Sequence, residues 1–194
     1  MTNANSRYRP EFEAALNALA PVFDRVVALG GARPVIVGGA AVEFYTVSAI
    51  RTGDVDLVTA ADDVFALAMA EAGFIKPRGP GVLTRGWVHE ALDMGVEVVS
   101  SSLMEGAAER GRIRLVHLKD GEVAFLAIED MIADRMGQYH ADTTHGDDMI
   151  GQARAMFDLA EDLDQHYLTV RIAAETHGAC DLDTLLQWKP KLQR

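Results

Sequence analysis

Apolar residues recur at helical spacing through residues 9–30, RPEFEAALNALAPVFDRVVALG, a pattern that predicts helix. Pro21 lies inside that stretch and predicts a break or kink into two helices, because proline brings no N–H to the helical ladder. Gly30 and Gly31 end it. The run PVIVGG reads as a short buried strand closed by a tight turn. AAVEFYTVSAI then reads as a helix starting straight after Gly39, and TGDVDLVTA as the next strand, entered through a turn at Gly53. ADDVFALAMAEAGF predicts a helix, with an N-cap in residues 61–63 and Gly73 at its C-terminal end. Residues 74–99 pattern as a strand, a Pro/Gly loop (Pro77, Gly79, Pro80, Gly81) and two strands around RGWVHEAL and GVEVVS. Ser100-Ser101-Ser102 reads as a strand exit and a helix N-cap before LMEGAAER. RIRLVHL alternates, turns at Lys119-Asp120-Gly121 and continues as EVAFLA, which predicts a hairpin.

The pattern changes near residue 127. IEDMIADRMGQYHA, DDMIGQARAMFDLAEDL and HYLTVRIAAETHG are three amphipathic stretches with short polar links. Residues 1–126 therefore read as a mixed α/β core, and residues 127–194 as a helical bundle packed on it.

Composition narrows the function. The chain of 194 residues is 49% apolar, enough for a packed core, and carries a net charge of −11. Such a chain is a poor general partner for nucleic acid or for anionic membrane surfaces, both of which need Lys and Arg. The excess is uneven. Residues 1–119 hold 12 basic and 14 acidic side chains, whereas residues 120–183 hold 3 basic and 15 acidic ones. One cysteine, Cys180, leaves no intramolecular disulfide and no cysteine cluster for zinc. The opening MTNANSRYRPEFE lacks an apolar run, and no stretch approaches the ~18 apolar residues of a membrane span. The expected location is the cytoplasm.

The chemistry concentrates in residues 35–57, VIVGGAAVEFYTVSAIRTGDVDL. Strand side chains alternate, so Asp54 and Asp56 share one face while Val55 and Leu57 face the core. Two carboxylates ~4 Å apart repel by roughly 4 kcal/mol at an effective dielectric near 20. Water, a shared proton or a cation relieves that repulsion. Hard oxygen ligands in this arrangement suit Mg²⁺, which takes one or two carboxylates together with substrate phosphates. Gly38 and Gly39 let a ligand approach the backbone, and the helix start behind them offers unpaired N–H groups to phosphate. Arg51 adds a bidentate phosphate donor.

This segment resembles the nucleotidyltransferase superfamily with the polymerase-β-like fold. The family signature is an apolar residue with Gly-Gly or Gly-Ser, about a dozen residues, and acid-apolar-acid-apolar on a strand. Val37-Gly38-Gly39 matches the first part and Asp54-Val55-Asp56-Leu57 the second, with fourteen residues (40–53) between Gly39 and Asp54. Small bacterial members, minimal or toxin-like, carry Arg and Thr just before the acids, as Arg51 and Thr52 stand here. IEDMIADRM resembles their first helix after the catalytic core, with Arg135 where toxin-like members often have Lys. The resemblance spans residues 33–140 and its specific motif residues 37–57.

The resemblance implies an α+β fold: a mixed sheet flanked by helices, with a C-terminal helical bundle. It implies a Mg²⁺- or Mn²⁺-dependent enzyme that moves a nucleoside monophosphate from an NTP, ATP first among them, to an acceptor hydroxyl. Asp54 and Asp56 would hold metal. Glu97, in apolar-acid-apolar context, would complete the site and deprotonate the acceptor. Gly38, Gly39, Arg51 and Thr52 would bind the nucleotide. The acceptor is a small molecule or a macromolecule, and a homodimer is compatible with the sequence. A catalytically inactive nucleotide-binding or protein-interaction module and the toxin half of a toxin–antitoxin pair are the alternatives. Direct RNA capture would need a basic patch from Arg78, Arg85, Arg110, Arg112 and Arg114.

Plainer readings stand beside these. Gly38-Gly39 also fits an ordinary strand-to-helix turn, and the Asp pair fits a solvated face or a charged edge strand. Glu90 and Asp93 compete with Glu97 for the third acid. Arg51 can pair with Asp54 or Glu43, and Arg135 fits a helix surface. His140 and His145 lack an evident third metal ligand and read as surface histidines near a cap. VGGAAVEF lacks G-x-G-x-x-G, so a dinucleotide-binding fold does not fit.

Overall fold

A computed structural model describes residues 7–77, 86–142 and 144–190. The predicted loop residues Gly79, Pro80 and Gly81, the basic residues Arg78 and Arg85, and the tail charges Lys191 and Arg194 lie outside the described residues. The chain divides into two compact units, residues 1–126 and 127–194.

The first unit is built on helix α1 (Pro10–Ala28), strand β1 (Val35–Val37), helix α2 (Gly38–Tyr45), strand β2 (Asp54–Val58), helix α3 (Asp62–Glu71), strand β3 (Gly95–Ser100) and the hairpin β4 (Arg114–Leu118) and β5 (Gly121–Phe125). The strands form one mixed sheet in the order β3-β2-β1-β5-β4. β1 pairs antiparallel with β2 and parallel with β5, and β2 pairs parallel with β3. α1 buries Phe12, Leu16, Leu19, Phe23 and Val26 along one face, each burial stabilising by roughly 1.5–3 kcal/mol. Phe44 of α2 stacks on Phe125 of β5 with ring centroids 4.0 Å apart.

The second unit holds helices α4 (Ile128–Ala141), α5 (Gly146–Leu159), α6 (Gln165–Glu175) and α7 (Leu182–Gln187) around buried Met131, Ile132, Met136, Ile150, Leu168, Ile172 and Leu185. Asp181 caps α7 in a reciprocal box with Thr184. Among the described residues, no helix is long and apolar enough to cross a membrane.

Four local expectations change. α1 runs unbroken through Pro21, because Pro21 sits on its exposed side while the buried stripe continues past it. There, water can satisfy the carbonyl that a proline leaves unbonded. α2 begins at Gly38 rather than after Gly39 and ends at Tyr45. The two strands expected before GVEVVS shrink to single bridges, Ile75 with Val88 and Trp87 with Val96. After Ser102 no α-helix forms. Met104 and Glu105 take left-handed φ values of 46° and 53°, and the serines close a local turn in which Ser102 N–H donates to Ser100 Oγ.

Candidate functional site

β2 is an interior strand, with β3 on one side and β1 on the other. Val55 and Leu57 are fully buried, Asp56 is half-buried and Asp54 is exposed. The reading of the acids as charges guarding a sheet edge therefore fails, since the sheet edges are β3 and β4. The registers bring the motif together. Antiparallel pairing sets Asp56 opposite Val37, the last residue of β1 before the glycines. Parallel pairing sets Asp54 opposite Gly95 and Asp56 opposite Glu97. Directly paired strand residues project to the same face, so Asp56 and Glu97 are cross-strand neighbours. Glu90 and Asp93 lie exposed in the segment leading into β3.

The glycines are sterically required. Gly38 has φ +60°, and a Cβ built there would meet the Asp56 carboxylate, 3.1 Å from Asp56 Cβ. A Cβ on Gly39 would stand 2.5 Å from Thr52 Oγ1. At Gly38 a side chain would be strained by the left-handed backbone and meet the acidic strand, and at Gly39 it would push the Thr52 hydroxyl aside. α2 carries no acid in its own first turn. The Asp56 carboxylate lies against that turn instead, where the helix dipole favours negative charge.

Thr52 links the turn to Asp54, donating from Oγ1 to Asp54 Oδ1 at 3.3 Å. Two residues that the sequence did not single out as site residues hold Thr52. Glu43 on α2 is fully buried and Arg9 is largely so. Arg9 Nε and Nη2 donate to the two Glu43 oxygens at 2.6 and 3.0 Å, and Nη2 also donates to the Thr52 carbonyl at 2.5 Å. The Thr52 N–H donates to Glu43 Oε2 at 2.8 Å, and the Ser48 hydroxyl donates to Oε1 at 2.9 Å. Burial alone would push the Glu43 carboxyl up. The hydrogen bonds from Arg9, the Thr52 backbone and Ser48 outweigh it, and the pKa ends below the usual carboxylate value. The loop so held contains Val47 and Ser48 at φ 51° and 58°, conformations that persist in non-glycine residues only where the surroundings enforce them.

Arg51 is exposed and pairs with no described residue, so Glu43 belongs to Arg9 and not to Arg51. Arg135 is not a helix-surface residue. It is buried in the helical unit, where it donates to Gln152 Oε1 at 2.8 Å and pairs with Asp134 at 2.7 Å. His145 pairs with Asp142. Among the described residues, no group of three or more His, Cys, Asp and Glu side chains is arranged to hold a metal ion unaided.

No protein-family model and no curated protein matches the chain. Among solved structures it is similar to an antigenic nucleotidyltransferase-like protein from Paracoccidioides brasiliensis, at 17% sequence identity and a TM-score of 0.60, over 95% of each chain. That likeness shows the fold, an α+β arrangement of the nucleotidyltransferase-like kind.

Proposed function

We propose that this chain is a Mg²⁺-dependent nucleotidyltransferase. The observation that supports it most is the double register of β2, which lays Asp56 beside both the Gly38 turn and Glu97. A triphosphate brought to the start of α2 would face carboxylates, so a cation must accompany it. Carboxylate oxygens fit Mg²⁺ or Mn²⁺, and Mg²⁺ takes few protein ligands and completes its shell from phosphates and water. Asp54, Asp56 and Glu97 would hold it, and when bound it would offset the charge that develops on the phosphates.

The chain's own groups account for the rest. Backbone N–H groups at the start of α2 bind the β- and γ-phosphates of an NTP, taken as ATP, and Thr52 and Arg51 flank them. The acceptor hydroxyl oxygen bonds to the α-phosphorus and its proton passes to Glu97. The bond from the α-phosphorus to the bridging oxygen breaks, and pyrophosphate leaves with that electron pair.

Purified protein incubated with Mg²⁺ and α-labelled NTPs, with small-molecule, protein and RNA acceptors tested in turn, checks this. Asp54→Asn should lower transfer by roughly 10²-fold or more while its melting temperature stays near wild type. Full transfer by that variant would overturn the assignment. The unclosed metal group favours one second reading, a nucleotide-binding or interaction module without turnover. In that case nucleotide raises the melting temperature and no acceptor is ever labelled.

A further inference from the structure

We infer that Arg9 and Glu43 form a positioning clamp that fixes Thr52, and through Thr52 the carboxylate of Asp54, for a nucleotide-bound divalent ion. This rests on the nucleotidyltransferase reading for the identity of the ligand. Both backbone polar groups of Thr52 are captured: Glu43 accepts from its N–H at 2.8 Å, and Arg9 donates to its carbonyl at 2.5 Å. With the backbone held at both ends, the Thr52 hydroxyl lies in reach of Asp54 Oδ1 and against the space that a Cβ on Gly39 would fill. The chain closes on itself, since the Arg9 N–H donates to Ser48 Oγ, which in turn donates to Glu43.

A purely structural ion pair between α2 and the residue before α1 would need only the two side chains. Here the acid and the guanidinium each spend a contact on the residue that touches the acidic strand. Asp54 is exposed and stands at the open end of β2, so its rotamer is not set by packing. Thr52 supplies the one hydrogen bond to its side chain seen among the described residues. Arg9 and Glu43 touch no reacting atom and act only through Thr52.

The test uses the full chain, with Mg²⁺ and ATP as probes. Arg9→Lys keeps the charge and loses the planar fork, and Glu43→Gln keeps the shape. Thr52→Val removes only the hydroxyl, and Thr52→Ser retains it. Ligand-free amide exchange at Thr52 should speed up about tenfold in Arg9→Lys and Glu43→Gln, the loss expected of one hydrogen bond. Mg²⁺-dependent ATP binding should weaken about tenfold in those variants and in Thr52→Val, with Thr52→Ser restoring it. Metal-free binding of ATP should not move in Arg9→Lys and Glu43→Gln. A merely structural pair would lower the melting temperature without this selective loss and without rescue by serine. Wild-type Mg²⁺-dependent binding by Thr52→Val, or unchanged Thr52 exchange in Arg9→Lys, would overturn the clamp. If the wild type binds no Mg²⁺–ATP, the nucleotidyltransferase reading falls. The ligand-free exchange then decides the clamp by itself, unchanged Thr52 exchange in Arg9→Lys and Glu43→Gln overturning it.

Discussion

At the scale of single residues, the site is defined as much by missing side chains as by present ones. Gly38 combines a left-handed φ with the Asp56 carboxylate where its Cβ would lie. Gly38→Ala should therefore destabilise the fold by about 2–4 kcal/mol, left-handed strain and steric overlap together, read from the urea midpoint at an unchanged slope. Glu43 makes a second prediction through pH. Its folded pKa lies below the ordinary value of about 4.3, so the unfolded chain takes up the proton first as pH falls. The stability contributed is complete above that ordinary value and is lost as pH drops through the folded pKa. Glu43→Gln should lower stability at neutral pH and flatten the acid limb of a stability–pH curve measured between pH 3 and 7. Asp54, Asp56, Gly38 and Gly39 were legible because their spacing reports strand alternation and a turn. Arg9 and Glu43 were not. Arg9 looks like an ordinary helix-flanking charge and Glu43 like an ordinary helix charge, and only the fold brings two residues 34 positions apart into contact.

At the scale of elements, periodicity served where an element packs one continuous face, as in α1, β2, the β4–β5 hairpin and α4. It misled where a local rule met tertiary packing. Pro21 is tolerated because the break it demands falls on water. Pro21→Ala should stabilise the protein by about 2–2.6 kcal/mol, the helix-interior penalty of ~3 less the roughly 0.4–1 that proline gains from the restricted unfolded chain. A higher denaturation midpoint would show it, and a lower one would mean the proline supports α1. Residues 74–76 and 86–88 have strand-like composition but pair at single bridges, and a sequence window does not report how long a partner strand is. α7 escaped because a six-residue helix carries almost no periodic signal, and its start is set by the Asp181–Thr184 cap.

At the scale of the whole molecule, the helical unit carries proton linkages of both signs. Burial raises the carboxyls of Asp130 and Asp134 in the helical unit, against the pull of Arg171 and Arg135 respectively. A carboxyl raised on folding gains stability as pH falls through its folded pKa toward the unfolded value, the reverse of Glu43. The helical unit also sheds part of its dense negative charge on acidification. Backbone hydrogen bonds hold Asp142 and Asp181 of the same unit low, and their share is lost only below the ordinary carboxylate range, so lowering the pH from 7 toward 5 should strengthen residues 127–194 while residues 1–126 hold. The chain carries one tryptophan in each unit, Trp87 and Trp188. Fluorescence of Trp188→Phe and Trp87→Phe variants would follow the units separately, and coincident transitions of the same sign would refute the split. The parallel pairing of β2 with β3 also has a kinetic consequence. A parallel neighbour is reached only after the whole crossover, residues 59–94, has been closed, whereas the β4–β5 hairpin can form in microseconds. Asp56 and Glu97 therefore meet late, after the rate-limiting search imposed by non-local topology. On the proposed nucleotidyltransferase reading, Mg²⁺–ATP should slow unfolding in stopped-flow traces and leave the refolding rate untouched.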